Sequence, residues 1–253
     1  MSDPAVQSPA EVAPGLSQGE RLIDTFTAPS KTFNDIKRGN RSWWLPFLIM
    51  VIFGYIFFAG ITQKIGWSQV AQNAIHMNPK AEEQMSQLPK DQADMRMKFT
   101  AYTMEGSFAG APLLILAILA LASLVLWGTI NFGFGGKATF GSIFAVYMYA
   151  SLPGLLKTIL GTVVLFLGMA PESFNLNNFA PTNLGAFLSP TDTNAALYKL
   201  ATAIDFTTIW SMILLGMGIA IVAGVKRTSG YIAVFGWWAI IVICSVGWSA
   251  LMG

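Results

Sequence analysis

The chain has 253 residues, 54% of them hydrophobic and only 11% charged, with a formal net charge of +2. Soluble domains carry about 25% charged residues, so this chain cannot cover a water-facing surface, and so small a net charge suggests no nucleic-acid partner. The lone cysteine, Cys244, excludes an intramolecular disulfide.

The first segment, residues 1–18, is rich in Pro and Ala and reads as a disordered tail. It lacks the basic start and apolar stretch of a signal peptide, so the first apolar run is expected to act as an uncleaved signal-anchor. Residues 19–42 read as a cytosolic amphipathic region of two short helices. Leu22, Ile23 and Phe26 share a face of the first. Phe33 and Ile36 share a face of the second, opposite Lys31, Asp35 and Lys37. With Lys37, Arg38 and Arg41 beside them, Phe33 and Ile36 suit a helix lying at a membrane surface or meeting a partner. Packing on the rest of the protein is the other reading.

Five long apolar runs follow, at about 43–62, 111–132, 140–169, 206–225 and 231–252. A bilayer core about 30 Å thick needs ~20 mostly apolar residues in helical form. The fold class is therefore all-α: a polytopic membrane protein with a five-span helical bundle. Trp43-Trp44 at the head of the first run suits the headgroup level. The polar connection 65–110 holds the single His76, which reads as a solvated side chain, and two surface helices, about 81–88 and 91–104. The stretch Gly133-Phe134-Gly135-Gly136-Lys137 is no phosphate loop: Asn131 stands where GxxxxGK needs its first Gly, and Ala138 where it needs Ser or Thr. A tight turn accounts for these glycines.

The third run is too long for one upright span and contains Pro153, which removes a backbone hydrogen bond and predicts a break or kink. Either residues 140–150 form an interfacial helix and 152–169 the span, or the whole run is one tilted, kinked helix. Ser151, Gly154, Thr158, Gly161 and Gly168 form a stripe of small residues that invites a neighbouring helix. Lys157 lies inside this run. It marks a functional site or snorkels to the surface from about one turn deep. The connection 170–205 is rich in Asn and Pro, yet its Phe174, Phe179 and Phe187 predict that it folds back on the bundle mouth. Asp205 precedes the fourth run, where it complements the helix dipole or makes a polar contact within the bundle. Gly216, Ala220 and Gly224 give a second close-packing face.

Lys and Arg near the short loops place the N-terminus, Lys137 and Lys226-Arg227 on one side. The positive-inside rule makes that side cytoplasmic and puts the C-terminus outside, in a cytoplasmic (inner) membrane. No Ser/His/Asp set, HExxH, CxxC or intramembrane acid pair occurs. An enzyme and a carboxylate-based ion path both lose ground, and no cofactor or metal is implied.

Several stretches together resemble bacterial Yip-domain (Ypt-interacting protein) membrane proteins. They are Pro29-Ser30-Lys31-Thr32-Phe33-Asn34-Asp35-Ile36, Trp43-Trp44-Leu45-Pro46, Thr62-Gln63-Lys64-Ile65-Gly66-Trp67, Tyr149-Ala150-Ser151-Leu152-Pro153-Gly154-Leu155, Pro181-Thr182-Asn183-Leu184-Gly185-Ala186-Phe187-Leu188 and Ile204-Asp205-Phe206-Thr207-Thr208-Ile209-Trp210. The resemblance runs from Pro29 to Trp248. It implies a five-span membrane protein with a cytosolic N-terminus, and it marks Pro153, Asn183, Asp205 and Trp210 as family-like positions. The D-L-Y-G-P element of eukaryotic members, which are associated with small GTPases, is absent; that counts against GTPase binding and favours the bacterial branch. The function expected is non-enzymatic scaffolding or organisation of membrane partners or lipids. The partners are the bilayer and, with it, other membrane proteins or a homo-oligomer. The alternative is a small-solute transporter or channel using the broken third span.

Overall fold

The computed structural model describes residues 15–252, so most of the segment read as a tail (1–18) lies outside the described residues. Its last residues belong to the fold: Ser17 caps α1 (Gln18–Thr27) in a reciprocal box with Glu20. The Ser17 amide and hydroxyl hold the Glu20 carboxyl below its usual value. Helix α2 (Pro29–Lys37) follows after one residue.

Among the described residues five helical segments are long and apolar enough to cross a membrane, at Trp44–Lys64, Ala111–Gly133, Phe140–Phe166, Phe206–Ala223 and Arg227–Leu251. The bundle is all-α and polytopic. The first is α3 (Trp44–Lys64). After it the chain makes α4 (Trp67–His76), α5 (Pro79–Ser86) and α6 (Lys90–Ala109). Helix α4 was not expected. Its Trp67, Val70 and Ala71 are buried with Phe57, Ile61 and Phe174 in a second core at the end of the bundle far from α1. Asn73 secures that end by donating from Nδ2 to the carbonyls of Pro171 (2.8 Å) and Phe174 (2.9 Å).

The second span is α7 (Ala111–Gly128), extended by a wider π turn to Gly133. The third is a bent rod of α8 (Phe140–Ala150) and α9 (Pro153–Phe166). Ser151 and Leu152 keep right-handed helical angles between them. The break is therefore a kink, set by the missing N–H of Pro153 at the first position of α9. Helix α8 is enclosed by protein on nearly all sides, with Ile143, Ala145, Val146, Met148 and Tyr149 fully buried. It is not an interfacial helix. The rod ends at Phe166, short of the expected 169, and Gly168 (φ +98°) turns the chain away.

Three short 3-10 turns then lead to α10 (Ala195–Ala203), capped by Asn194. The fourth span is α11 (Phe206–Ala223) and the fifth α12 (Arg227–Met252). The close-packing face on α11 is real at two of its three positions. A methyl on Gly216 would strike the Tyr231 ring, and one on Gly230 of α12 would strike both the Gly216 carbonyl and the Ala220 methyl, so α11 and α12 meet backbone to backbone at Gly216 and Ala220. Gly224 has another role: at φ +70° it is the left-handed cap that ends α11.

The pair α1–α2 does not present Phe33 and Ile36 as a contact surface. Both are fully buried in the main core with Ile143, Val146 and Ile219. The Phe33 ring sits where a methyl on Gly218 would be. On α1 the buried side is the polar one. Arg21 (1% exposed) and Thr25 face inward, while Ile23 (65%) and Phe26 (40%) face out. The cause is Arg21, whose guanidinium ties three segments. Its Nε lies 3.4 Å from the buried Asp35 carboxylate, its Nη1 donates to the carbonyls of Asn40 (3.1 Å) and Ser42 (3.3 Å), and it covers the Tyr149 ring at 5.5 Å. Asp35, expected on the polar face, is inside for the same reason. Lys37, Arg38 and Arg41 are exposed.

Candidate functional site

Lys157 donates from Nζ to Oδ2 of Asp205 at 3.0 Å. Asp205 is 2% exposed. It accepts three further hydrogen bonds: from Thr182 Oγ1 (2.6 Å), Thr207 Oγ1 (2.6 Å) and the Thr208 amide (3.0 Å). The Thr208 bond makes it the N-cap of α11. Both readings of Asp205 therefore hold at once. It caps a helix and it makes a polar contact within the bundle.

The pair stands at the head of the fourth span, where Asp205 immediately precedes α11. Trp43 packs on Phe144 at 5.1 Å, and Gly60 lies against Phe166, so α3 runs beside α8–α9 from residue 144 to residue 166. Lys157 stands thirteen residues beyond Phe144 and nine before Phe166. At 1.5 Å per residue this is roughly 20 Å along the rod from Phe144 and roughly 14 Å from Phe166. Snorkelling from one turn deep does not describe Lys157. The span does not begin near Leu152 but at α8, and the cation is matched internally instead.

The loop 170–205 reaches down to meet it, as its aromatics suggest. Phe179 lies where a methyl on Gly161 would be, packs on Phe57 at 4.6 Å, and places its ring 5.6 Å from Lys157 Nζ. The small-residue stripe of the third run therefore receives a loop phenyl ring, together with the Phe57 side chain of α3. Phe187 (82% exposed) stays outside. Asn183 forms an isolated antiparallel bridge with Asp205. Its Nδ2 donates to Asn178 Oδ1 (2.6 Å), while its buried Oδ1 has no hydrogen-bond partner among the described residues.

On the other side of Lys157 a cleft of about 590 Å³ opens between α7 and α12. Its floor is α9 and α11, through Gly154, Lys157, Thr208 and Ser211; Leu121 and Trp237 are among its walls. A second cleft of about 380 Å³ lies between α3 and α7 and is floored by Ser151, Gly154 and Thr158. Ser151 and Gly154 line both, so the two meet beneath α7 along the kink. Among the described residues nothing lies within 4 Å of a methyl placed on Gly154. Phe179 lines the second cleft and also a cup of about 330 Å³ outside it, with Asn175 and Tyr198.

Of the residues singled out from sequence, Lys157, Asp205 and Asn183 come together, and Pro153 sets the kink beside them. Trp210 does not join them. It stacks edge-on against Phe26 (5.6 Å) on another face of α11. Phe33, Ile36, Lys37, Arg38 and Arg41 are also elsewhere. Thr182, Thr207 and Phe179 were missed; the signal available was the hydroxyl pattern around Asp205 and an aromatic in a polar loop. Among the described residues no cluster of three or more His, Cys, Asp or Glu could hold a metal.

A Yip1 domain model matches residues 23–249. Membrane protein YknW of Bacillus subtilis (strain 168) is 24% identical over 227 residues, covering 89% of this chain and 88% of that protein. No solved structure matches. The domain match takes in four spans whole, the fifth as far as residue 249, the kink at Pro153 and the Lys157–Asp205 pair, and by it the chain belongs to the Yip1 domain family.

Proposed function

We propose that this protein is a non-enzymatic membrane component that binds and organises lipid in the cleft beneath α7, with its basic end in the cytoplasm. One observation carries the reading. Helix α7 stands off the bundle on both flanks, and the two spaces beside it meet at Gly154. Their walls are almost wholly apolar, and 590 Å³ falls within the range of ligand sites, about 300–1,000 Å³. Apolar spaces of this size in a bundle exposed to hydrocarbon are filled by acyl chains rather than left empty, because a void forfeits dispersion contacts. Leu114, Ile118 and Leu121 of α7 are more than half exposed, which suits a helix bathed in lipid.

Gly154→Leu tests this. Leu is a better helix former than Gly, and the side chain would project into the shared floor of both clefts. The substituted chain is expected to fold and insert as before. It should lose most of the lipid that copurifies in mild detergent, measured by native mass spectrometry. Retention of the parent's lipid complement would count against the cleft.

A further inference from the structure

The amphiphile that fits this cleft is defined by what stands at its polar end. Lys157 reaches the cleft with its side chain 23% exposed, and its charge is already matched by Asp205 at 3.0 Å. A lysine ammonium has three N–H donors, and only Asp205 among the described residues takes a hydrogen bond from it. Thr208 and Ser211 add hydroxyls to the same wall. The polar end is thus rich in hydrogen-bonding groups and neutral in sum.

An anionic head placed against Lys157 would also face Asp205, leaving one uncompensated negative charge in a site walled by Leu121, Leu215 and Trp237. A single hydroxyl or ester avoids that penalty, because it exchanges hydrogen bonds without adding charge.

We propose that the cleft beneath α7 selects a neutral, hydroxyl-headed lipid of the diacylglycerol or long-chain alcohol class, with its head on Lys157, Thr208 and Ser211 and its chains along α7. This rests on the lipid-cleft reading above and names the ligand class of that same site.

The test holds the acyl chains constant and varies the head. The full chain, delipidated in mild detergent, is titrated with dioleoylglycerol, oleic acid and dioleoylphosphatidylglycerol, and bound lipid is counted by native mass spectrometry. Dioleoylglycerol is expected to bind at least about tenfold more tightly than either anionic lipid. Asp205→Asn removes the balancing charge and keeps a good cap, so it should shift the preference toward oleate. The titration of the unsubstituted chain decides alone should that variant fail to fold. Equal binding of all three lipids, each lost in Gly154→Leu, leaves the cleft standing and overturns the head-group selection. Preference for either anionic lipid overturns it too. Binding of none of them overturns both readings.

Discussion

Asp205→Asn is expected to destabilise the detergent-solubilised chain by about 3–5 kcal/mol, the cost of removing one partner from a buried ion pair. The substitution is chosen to isolate charge. Asn is as good an N-cap as Asp, and its carbonyl oxygen can still accept from Thr182, Thr207 or the Thr208 amide. What it cannot do is neutralise Lys157, which is held at the head of α11 with Phe179 over its head. Lys157→Met should cost less, because Asp205 keeps three other donors. The double variant should be more stable than Asp205→Asn alone, since it removes the unmatched cation as well. Thermal unfolding of the four proteins of this cycle measures the coupling. A double variant that loses the sum of the two single losses would mean that the pair does not act as a unit.

Arg21→Met is expected to be comparably damaging, by about 3–5 kcal/mol, and to act on a different part of the molecule. It strands the Asp35 carboxylate, which is 3% exposed and keeps only the Leu16 amide (3.1 Å) among the contacts shown. It also unties α1 from the strap before α3, where the guanidinium holds the Asn40 and Ser42 carbonyls. Amide exchange across residues 18–37 should accelerate, and trypsin should cut at Lys31. Lys37→Gln, at an exposed position, should change stability by no more than about 0.5 kcal/mol. Unchanged exchange over α1 and α2 in Arg21→Met would show that burial of Phe33 and Ile36 alone holds the helix pair.

These two pairs also mark where the sequence is legible and where it is not. The five runs declare themselves by length, because hydrocarbon thickness is a one-dimensional constraint. Pro153 declares the kink because its missing N–H is local, and Gly216 declares close packing because only a small residue permits it. The inward face of α1 does not declare itself. Periodicity nominates Leu22, Ile23 and Phe26, but a buried guanidinium with four partners rotates the helix so that Ile23 and Phe26 point out. The reading of Phe33 and Ile36 as a contact surface fails for a related reason. An apolar stripe states that something covers it, and here the cover is α8 and α11 rather than a membrane or partner.

The site is half legible in the same way. Lys157 and Asp205 each stand out as charges at apolar segments, yet they are 48 residues apart in sequence, and nothing local joins them. Thr182 and Phe179 reach the site only because the loop 170–205 descends to Gly161, a depth set by tertiary packing. Helix α4 was hidden in a polar connection. Its buried positions Trp67, Val70 and Ala71 carry helical spacing, but the surrounding Gln and Asn dilute the signal.

The central claim is that the cleft beside Lys157 belongs to lipid and not to water. A nitroxide on Ser211→Cys, in a Cys244→Ser background and a lipid nanodisc, reports this by power saturation. Dissolved oxygen, which concentrates in hydrocarbon, is expected to relax the label strongly and a water-soluble nickel chelate weakly. Dominant relaxation by the chelate would contradict the account and make the cleft an aqueous vestibule.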